Sequence, residues 1–305
     1  MGKARHNISN WRQYNRALIN RGSLTFWVDE QAIEQWYCGE HHGRRGRGFQ
    51  YSDSAIETAL MLKAFFGLPF RALEGFINSI FQLMNVPLTS PSYSNICKRA
   101  QTVEINYRLP SNGAVTHLVI DATGLKVFGE GEWKQRKHGK SQRRIWRKLH
   151  LAVDARTHEV IAAEVSLESV ADSEVLPTLL NPLRRRIHQV SADGAYDTQD
   201  CHQLLLRKGI TATIPPRKNA RYWEEGHPRN AAVAALKSGH LAEWKMSSDY
   251  HQRSLSETAM SRYKQLLSPT LSLRKYNGQV GEILAGVKVM NKVIGLGMPV
   301  RHPQS

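Results

Sequence analysis

Residues 250–264 read YHQRSLSETAMSRYK. Tyr250, Arg253, Glu257 and Lys264 stand there at i, i+3, i+7 and i+14. At about 100° per residue they fall within roughly 60° of one another on a helical wheel. Leu255, Ala259, Tyr263 and Leu266 fall on the opposite side as a packing stripe. The spacing predicts one long helix from Asp249 to about Leu267, with a carboxylate, two cations and a phenol in a row on one face. A solvated face in which Arg253 and Glu257 are an ordinary i, i+4 pair has the same pattern, so its surroundings must decide.

Upstream of this helix the chain alternates short apolar runs with amphipathic segments. His117–Asp121 (HLVID) is an apolar run ending on Asp, and Val190–Asp193 is another, followed by Gly194. Leu149–Asp154 and Glu159–Leu167 read as a hairpin, and Ile210–Ile214 as a fifth strand ended by Pro215-Pro216. Between them, Asp172 can cap a helix carrying Leu176, Leu179, Leu180 and Leu183. Asp197 can cap one carrying Leu204, Leu205 and Leu206, closed by Gly209. Residues 217–247 read as irregular apart from a small helix at Ala231–Leu236, and a last helix is expected over Val280–Ile294. The order β-β-β-α-β-α-β followed by helices predicts an α/β domain, a mixed sheet flanked by helices. Asp at the C-terminal end of a strand sits where open α/β sheets place ligands. Asp121-Ala-Thr-Gly and Asp193-Gly are equally good turn sequences, so each aspartate alone stays open.

The first hundred residues read as helical. Ser54 and Glu57 have capping-box spacing for a helix through Phe66, stopped near Gly67. Pro69 suits the first turn of the next, whose apolar face is Leu73, Phe76, Ile77, Ile80, Phe81 and Met84. After the breaker Asn85-Val86-Pro87, Ser90 can cap a short polar helix with Tyr93, Asn95, Lys98 and Arg99. Two apolar helices, a turn and a basic helix form a helix-turn-helix pattern that would set Ser92, Tyr93, Asn95, Lys98 and Arg99 against DNA. A three-helix structural subdomain has the same pattern. The expected division is an all-α, helix-turn-helix-like domain over 1–110 and an α/β domain over 111–305.

The charge balance narrows the partners. There are 42 Lys+Arg against 26 Asp+Glu, a net +16 that attracts polyanions by counterion release. Nine of the cations fall between Lys126 and Lys148, among them Lys137, Arg143, Arg144 and Arg147, with Trp133 and Trp146 flanking the densest part. That composition suits contact with a nucleic-acid backbone, Trp133 being a candidate for stacking on a base. Pro215-Pro216-Arg217-Lys218-Asn219 could add phosphate contacts. The three cysteines form no disulfide framework and no CxxC pair, and Cys38 beside His41 and His42 lacks the ligands for zinc. The histidines are dispersed. There is no apolar leader run and no membrane-length apolar stretch. These features point to a cytoplasmic, nucleoid-associated protein with no membrane partner and no small-molecule substrate.

Tyr250-x2-Arg253-x3-Glu257-x6-Lys264 matches, letter by letter and gap by gap, the signature of DDE transposases of bacterial insertion sequences. Asp121-Ala-Thr-Gly-Leu and Asp193-Gly resemble the first and second catalytic blocks of that family. The resemblance covers about residues 115–295 and extends more loosely to Gly22-Ser-Leu-Thr-Phe-Trp-Val-Asp and the helical triplet. It implies a ribonuclease-H-like fold, in which the strands bearing Asp121 and Asp193 are neighbours. It implies that Asp121, Asp193 and Glu257 hold two Mg²⁺ ions (Mn²⁺ able to substitute), and that Arg253, Lys264 and Tyr250 bind the DNA end. It further implies binding of terminal inverted repeats, cleavage at element ends, joining of the 3′-hydroxyl to target DNA, and action as a homodimer or higher oligomer. A ribonuclease-H-like nuclease or resolvase without strand transfer, or a DNA-binding regulator without catalysis, are the competing readings.

Overall fold

The computed structural model describes residues 6–39, 48–110, 113–127 and 145–303. In chain order its elements begin with β1 (His6–Ile8), α1 (Trp11–Asn20), α2 (Leu24–Trp27), α3 (Glu30–Glu34), α4 (Asp53–Phe66), α5 (Phe70–Leu83) and α6 (Tyr93–Arg99). Next come β2 (Val115–Val127), β3 (Trp146–Asp154), β4 (Val160–Leu167), α7 (Asp172–Leu180), β5 (Ile187–Ser191), α8 (Gln199–Arg207) and β6 (Thr211–Thr213). The chain continues through α9 (Arg229–Lys237), α10 (Leu241–Ser247), α11 (Ser254–Leu266), β7 (Thr270–Leu271), α12 (Tyr276–Gly295) and β8 (Arg301–Pro303). Short 3₁₀ turns lie at Gly194–Tyr196 and Tyr250–Arg253.

Six strands among the described residues make one sheet, in the order β4-β3-β2-β5-β6 with β7 also beside β2. β3 is antiparallel to β2 and β4, whereas β5 runs parallel to β2 and β6 parallel to β5. Counted within the sheet this is 3-2-1-4-5, the ribonuclease-H-like order, flanked by helices as expected. Val115, Leu118 and Ile120 of β2 pack with Val190 of β5 against Val175, Leu176, Leu179 and Leu180 of α7 and Leu204 and Leu205 of α8. Val119, on the alternate side of β2, is buried as well. A central strand covered on both sides must be apolar at successive positions, which is why HLVI reads as a continuous run.

Several local expectations shift. The α4 cap is Ser52, whose side chain accepts from the Ala55 N–H, and Ser54 lies inside the helix. Gly67 closes α4 in the left-handed conformation, φ 66°. Ser92 caps α6 in place of Ser90. β2 does not stop at Asp121: β3 pairs with it as far as Lys126, and β7 pairs at Lys126 and Val127. Backbone pairing on both sides carries the strand past the point where its apolar run ends. α10 forms within a stretch read as irregular; it has no buried residue, so no apolar periodicity marks it. Among the described residues, no helix is long and apolar enough to cross a membrane.

The chain forms two compact units, one of Met1–Tyr107 with Leu273–Ser305 and the other of Arg108–Ser272. An α/β domain running unbroken from 111 to 305 does not anticipate this grouping. Its physical basis is α12. Within the first unit Lys63 of α4 pairs with Glu282 at 3.0 Å, Lys288 with Glu57, and Lys292 with Asp29 at 3.0 Å. Asn291 donates to the Tyr107 carbonyl at 2.9 Å.

One buried histidine in the second unit makes stability depend on pH. His150 of β3 is fully buried, its Nε2 2.8 Å from Ser166 Oγ, and its Nδ1 has no partner. Burial lowers its pKa to about 4, the charges of Asp172 and Lys148 adding smaller opposed effects. The unfolded chain takes up this proton near pH 6.5 while the native chain excludes it. The stability tied to the neutral ring is therefore complete above about pH 6.5 and lost as pH falls toward about 4, in total about 3 kcal/mol. His150→Gln should flatten that part of the curve, as checked by urea unfolding at about pH 7.5 and about pH 4.5. Equal pH slopes for wild type and variant would refute it.

Candidate active site

Asp121 and Asp193 are brought together by one register. The parallel pairing of β2 and β5 ends at Val119 opposite Ser191, and each aspartate lies two residues further on. Beyond that pair β5 gives way to the turn Gly194–Tyr196, which Asp193 caps through its Oδ1 and the Ala195 N–H, 2.9 Å. Asp121 stays on β2, its Oδ1 accepting from the Ala122 N–H at 2.8 Å.

α11 supplies the third carboxylate. Arg253 donates to Asp121 Oδ2 at 3.2 Å and through its other terminal nitrogen to Glu257 Oε1. Ser256, fully buried, reaches Asp121 Oδ2 at 3.5 Å while donating to the Arg253 carbonyl at 2.6 Å. The Glu257 side chain is 56% exposed against 19% for Asp121, so this carboxylate lies at the open side. Burial raises the Asp121 pKa, and the charges of Asp193 and Glu257 raise it further against the Ala122 N–H and Arg253. Burial works to lower the Arg253 pKa, but Glu257, Tyr250 and Asp121 prevail and raise it. Burial also raises the Tyr250 phenol, with Asp193 and Asp121 contributing and Arg253 opposing, so it stays protonated and is no nucleophile at neutral pH.

The segment is not one continuous α-helix. Asp249 takes a left-handed conformation, φ 56°, and Tyr250–Arg253 is a 3₁₀ turn leading into Ser254–Leu266. A uniform wheel therefore fails for Tyr250, whose ring centroid nonetheless lies 5.8 Å from the Arg253 guanidinium carbon. The buried side is Ser256, Ala259, Met260 and Tyr263; Leu255 and Leu266 are only half-buried. Lys264, also half-buried, falls on α11 beyond Glu257.

Among the described residues, no group of three or more His, Cys, Asp or Glu side chains is arranged as a ready metal site. A positive charge nonetheless already bridges Asp121 and Glu257, namely Arg253. The donor set consists of carboxylate oxygens, and Asp121 carries the unfavourable charge effects of both the others. Hard oxygen donors under mutual repulsion fit a divalent cation such as Mg²⁺.

The other sequence-predicted contacts fare unevenly. Lys137, Arg143, Arg144 and Trp133 lie outside the described residues, as do His41 and His42. Arg147 donates to the Trp146 carbonyl at 2.9 Å, and Trp146 is half-buried where a Cβ on Gly124 would meet it at 3.3 Å. In the first unit, Lys98 and Tyr93 are exposed on α6, with Arg71 stacked on the Tyr93 ring. Arg99 is 5% exposed: it donates to the Tyr51 carbonyl, pairs with Asp53 and stacks on Phe49. Those partners make it a structural residue, not a DNA contact. Asp197 does not cap α8; Thr198 does, and Asp197 instead takes Arg229. Arg217, read as a phosphate contact, donates to the carbonyls of Gly194 and Ala195. Nothing local in the sequence marks the Ser256–Asp121 contact or the Asp197–Arg229 pair, because the partners come from distant elements, β2 and the start of α9.

Residues 114–291, more than half of the chain, match a family model described as Transposase DDE domain, and residues 19–130 match a second model of the same description. One similar solved structure is a piggyBac transposase synaptic complex with hairpin DNA, 10% identical over 95% of this chain and 77% of that chain, TM-score 0.42. Another is a simian T-cell lymphotropic virus intasome in complex with the PP2A regulatory subunit B56 gamma, 15% identical over 65% of this chain and 64% of that chain, TM-score 0.27.

Proposed function

The chain belongs to the DDE transposase family, and on that premise we propose that it binds terminal inverted repeats, cuts at the element ends and joins the freed 3′-hydroxyl to target DNA. The family makes it a DNA transposase, an endonuclease and strand transferase that depends on a divalent metal. The reading adds that Asp121, Asp193 and Glu257 hold two Mg²⁺ ions, which Mn²⁺ can replace. The observation that carries it is the placement of Asp121 and Asp193 two residues past one strand pair, with Glu257 joined to Asp121 through Arg253.

A bound metal pair would stabilise the attacking and leaving oxygens of an in-line displacement. The chain's own residues supply the rest. Arg253 presents a planar fork, and its two carboxylate contacts are exchangeable for two phosphate oxygens, since the same fork fits both. Lys264 holds a neighbouring phosphate as a point charge, and Tyr250, neutral and next to Arg253, packs against the DNA end. Water attacks the phosphorus at the element end, the bond to the 3′-oxygen breaks, and the 3′-hydroxyl leaves. That hydroxyl then attacks a target phosphorus, releasing the target's own 3′-hydroxyl. No protein nucleophile is needed. The helical unit, with Tyr93 and Lys98 exposed on α6, would bind the terminal repeat. Lys137, Arg143, Arg144 and Arg147 would track the backbone. Two element ends call for at least a homodimer on DNA, acting in the cytoplasm on the nucleoid.

The test is product analysis with the DNA flanking the coding region as substrate. We expect a nick with a free 3′-hydroxyl, then joined strands, in Mg²⁺ or Mn²⁺, with binding but no chemistry in Ca²⁺. Cleavage without joining would favour the nuclease reading, and binding without either the regulator. Lys264→Ala should weaken binding of the end and reduce the slope of log K against log salt by about 1, as one phosphate contact does. An unchanged slope would remove Lys264 from the interface.

A further inference from the structure

We infer that Arg217 is a positioning residue that sets the catalytic turn bearing Asp193. This rests on Asp193 being a metal ligand, as proposed above. The turn after β5 is anchored at its end by Tyr196, buried in the core, and its Asp193 end is held by short backbone and cap contacts. Asp193 caps it, the Tyr196 N–H bonds the Asp193 carbonyl at 3.1 Å, and the Asp197 N–H bonds the Gly194 carbonyl at 3.2 Å. Arg217 comes from the loop after β6 and lies across it. Its Nε donates to the Gly194 carbonyl at 3.1 Å, and one terminal nitrogen donates to the Ala195 carbonyl at 3.0 Å. Its backbone N–H donates to Asp197 Oδ2 at 3.1 Å. A single residue thus grips the turn at its first two peptides and at the residue that ends it. The two backbones lie close: a Cβ on Gly194 would be in van der Waals contact with the Pro215 carbonyl oxygen, at 3.4 Å.

The loop that offers Arg217 is itself anchored on a buried pair. Asp197, its side chain 1% exposed, accepts from Arg229 Nε and from one terminal nitrogen, the latter at 2.6 Å, and lies 3.3 Å from His202 Nε2. Burial works to raise the Asp197 pKa, yet Arg229, His202 and the Arg217 N–H hold it far below the usual carboxylate range. Arg229 donates to the Arg221 carbonyl at 2.9 Å and stacks at 4.0 Å on Trp223.

The two arginines therefore divide the work. Removing Arg229 would strand a buried carboxylate, which is a stability defect. Arg217 is exposed. Without its side chain, water satisfies the two carbonyls at small cost, while the buried pair still holds the loop. What is lost is the fixed setting of the turn, and with it the aim of Asp193. With Nε and one terminal N–H on these two carbonyls, Arg217 ties the PPRKN stretch to the metal side of the site.

The test compares Arg217→Ala and Arg217→Lys with wild type. Mn²⁺ binding is followed by the electron paramagnetic resonance of free Mn²⁺, DNA binding by anisotropy in Ca²⁺, and folding by thermal melting. Arg217→Ala should lower Mn²⁺ affinity and the rate of end cleavage by about 10- to 100-fold, the range for residues that orient ligands. KM for DNA and the melting curve should stay at wild-type values. Added guanidinium should restore part of the loss in Arg217→Ala. Arg217→Lys should fall short of wild type, because one ammonium cannot span both carbonyls. Wild-type Mn²⁺ binding by both variants, or a loss confined to DNA affinity, would overturn the proposal in favour of a phosphate contact. Asp193→Asn separates the two levels: if it binds Mn²⁺ and cuts DNA as wild type does, the ligand assignment fails whatever Arg217 does.

Discussion

Asp121→Asn should leave the protein folded and bound to DNA while end cleavage and strand transfer fall by at least about 10³-fold, some 4 kcal/mol of transition-state stabilisation. The amide oxygen can still accept from the Ala122 N–H, one of the contacts that now fix the side chain beside those of Arg253 and Ser256. What disappears is the negative charge. That charge is held where burial and two neighbouring carboxylates disfavour it, a strained arrangement that stability alone would not retain. Urea unfolding should therefore show the variant as stable as wild type or slightly more so, since sites built for chemistry trade stability for function. Cleavage is read on end-labelled DNA in Mg²⁺. A variant cutting within about tenfold of wild type would remove Asp121 from the chemistry.

Gly281→Ala should cost about 3 kcal/mol, more than a helix gains from alanine, and the reason is backbone against backbone. A Cβ at Gly281 would lie 2.3 Å from the Ala100 carbonyl oxygen, and neither atom belongs to a side chain that can turn aside. Relief requires α12 to move off the end of α6, against the contacts that Lys63, Glu282 and Asn291 make within the same unit. Gly295→Ala is the control. It ends the same helix with nothing within 4 Å of a Cβ, and should be neutral or stabilising by up to about 1 kcal/mol. Denaturant midpoints at constant m-value settle both, and equal midpoints would show that Gly281 has room.

The catalytic sheet was legible because its strands are buried on both sides and so carry unbroken apolar runs. Leu118, Val119 and Ile120 of β2 show it, and the pairing of β2 with β5 through Val190 and Ser191 places Asp121 and Asp193 level. The Arg253–Glu257 pair was legible as spacing, because i, i+4 contact is local. Tyr250 was placed correctly beside Arg253 but for the wrong geometry: the chain turns through a 3₁₀ segment after the left-handed Asp249. The position of Arg253 between two carboxylates was not legible. Sequence gives the charges on one face of a helix, not which of them leans onto a strand. Arg99 failed as a DNA contact for a similar reason. Its partners Tyr51 and Asp53 come from the segment entering α4, and a basic residue on a short polar helix looks the same whether it faces water or a carboxylate. The Arg217 and Arg229 contacts are long-range too, and only the fold supplies their partners.

The grouping of α12 with α4 has a consequence for how the chain is made. The helical unit is begun first and finished last, because Leu273–Ser305 belongs to it while Arg108–Ser272 forms a unit of its own. During synthesis the whole α/β unit leaves the ribosome before the helix that covers α4 exists. Until then Glu57 and Lys63 lack Lys288 and Glu282, their partners from α12. The nascent helical segment must wait, incompletely covered, while the sheet folds behind it. A chain interrupted anywhere before residue 273 would therefore release a helical unit that cannot close, even with its α/β unit complete. Translation through α12 is thus a condition for pairing a folded α/β unit with a finished helical unit.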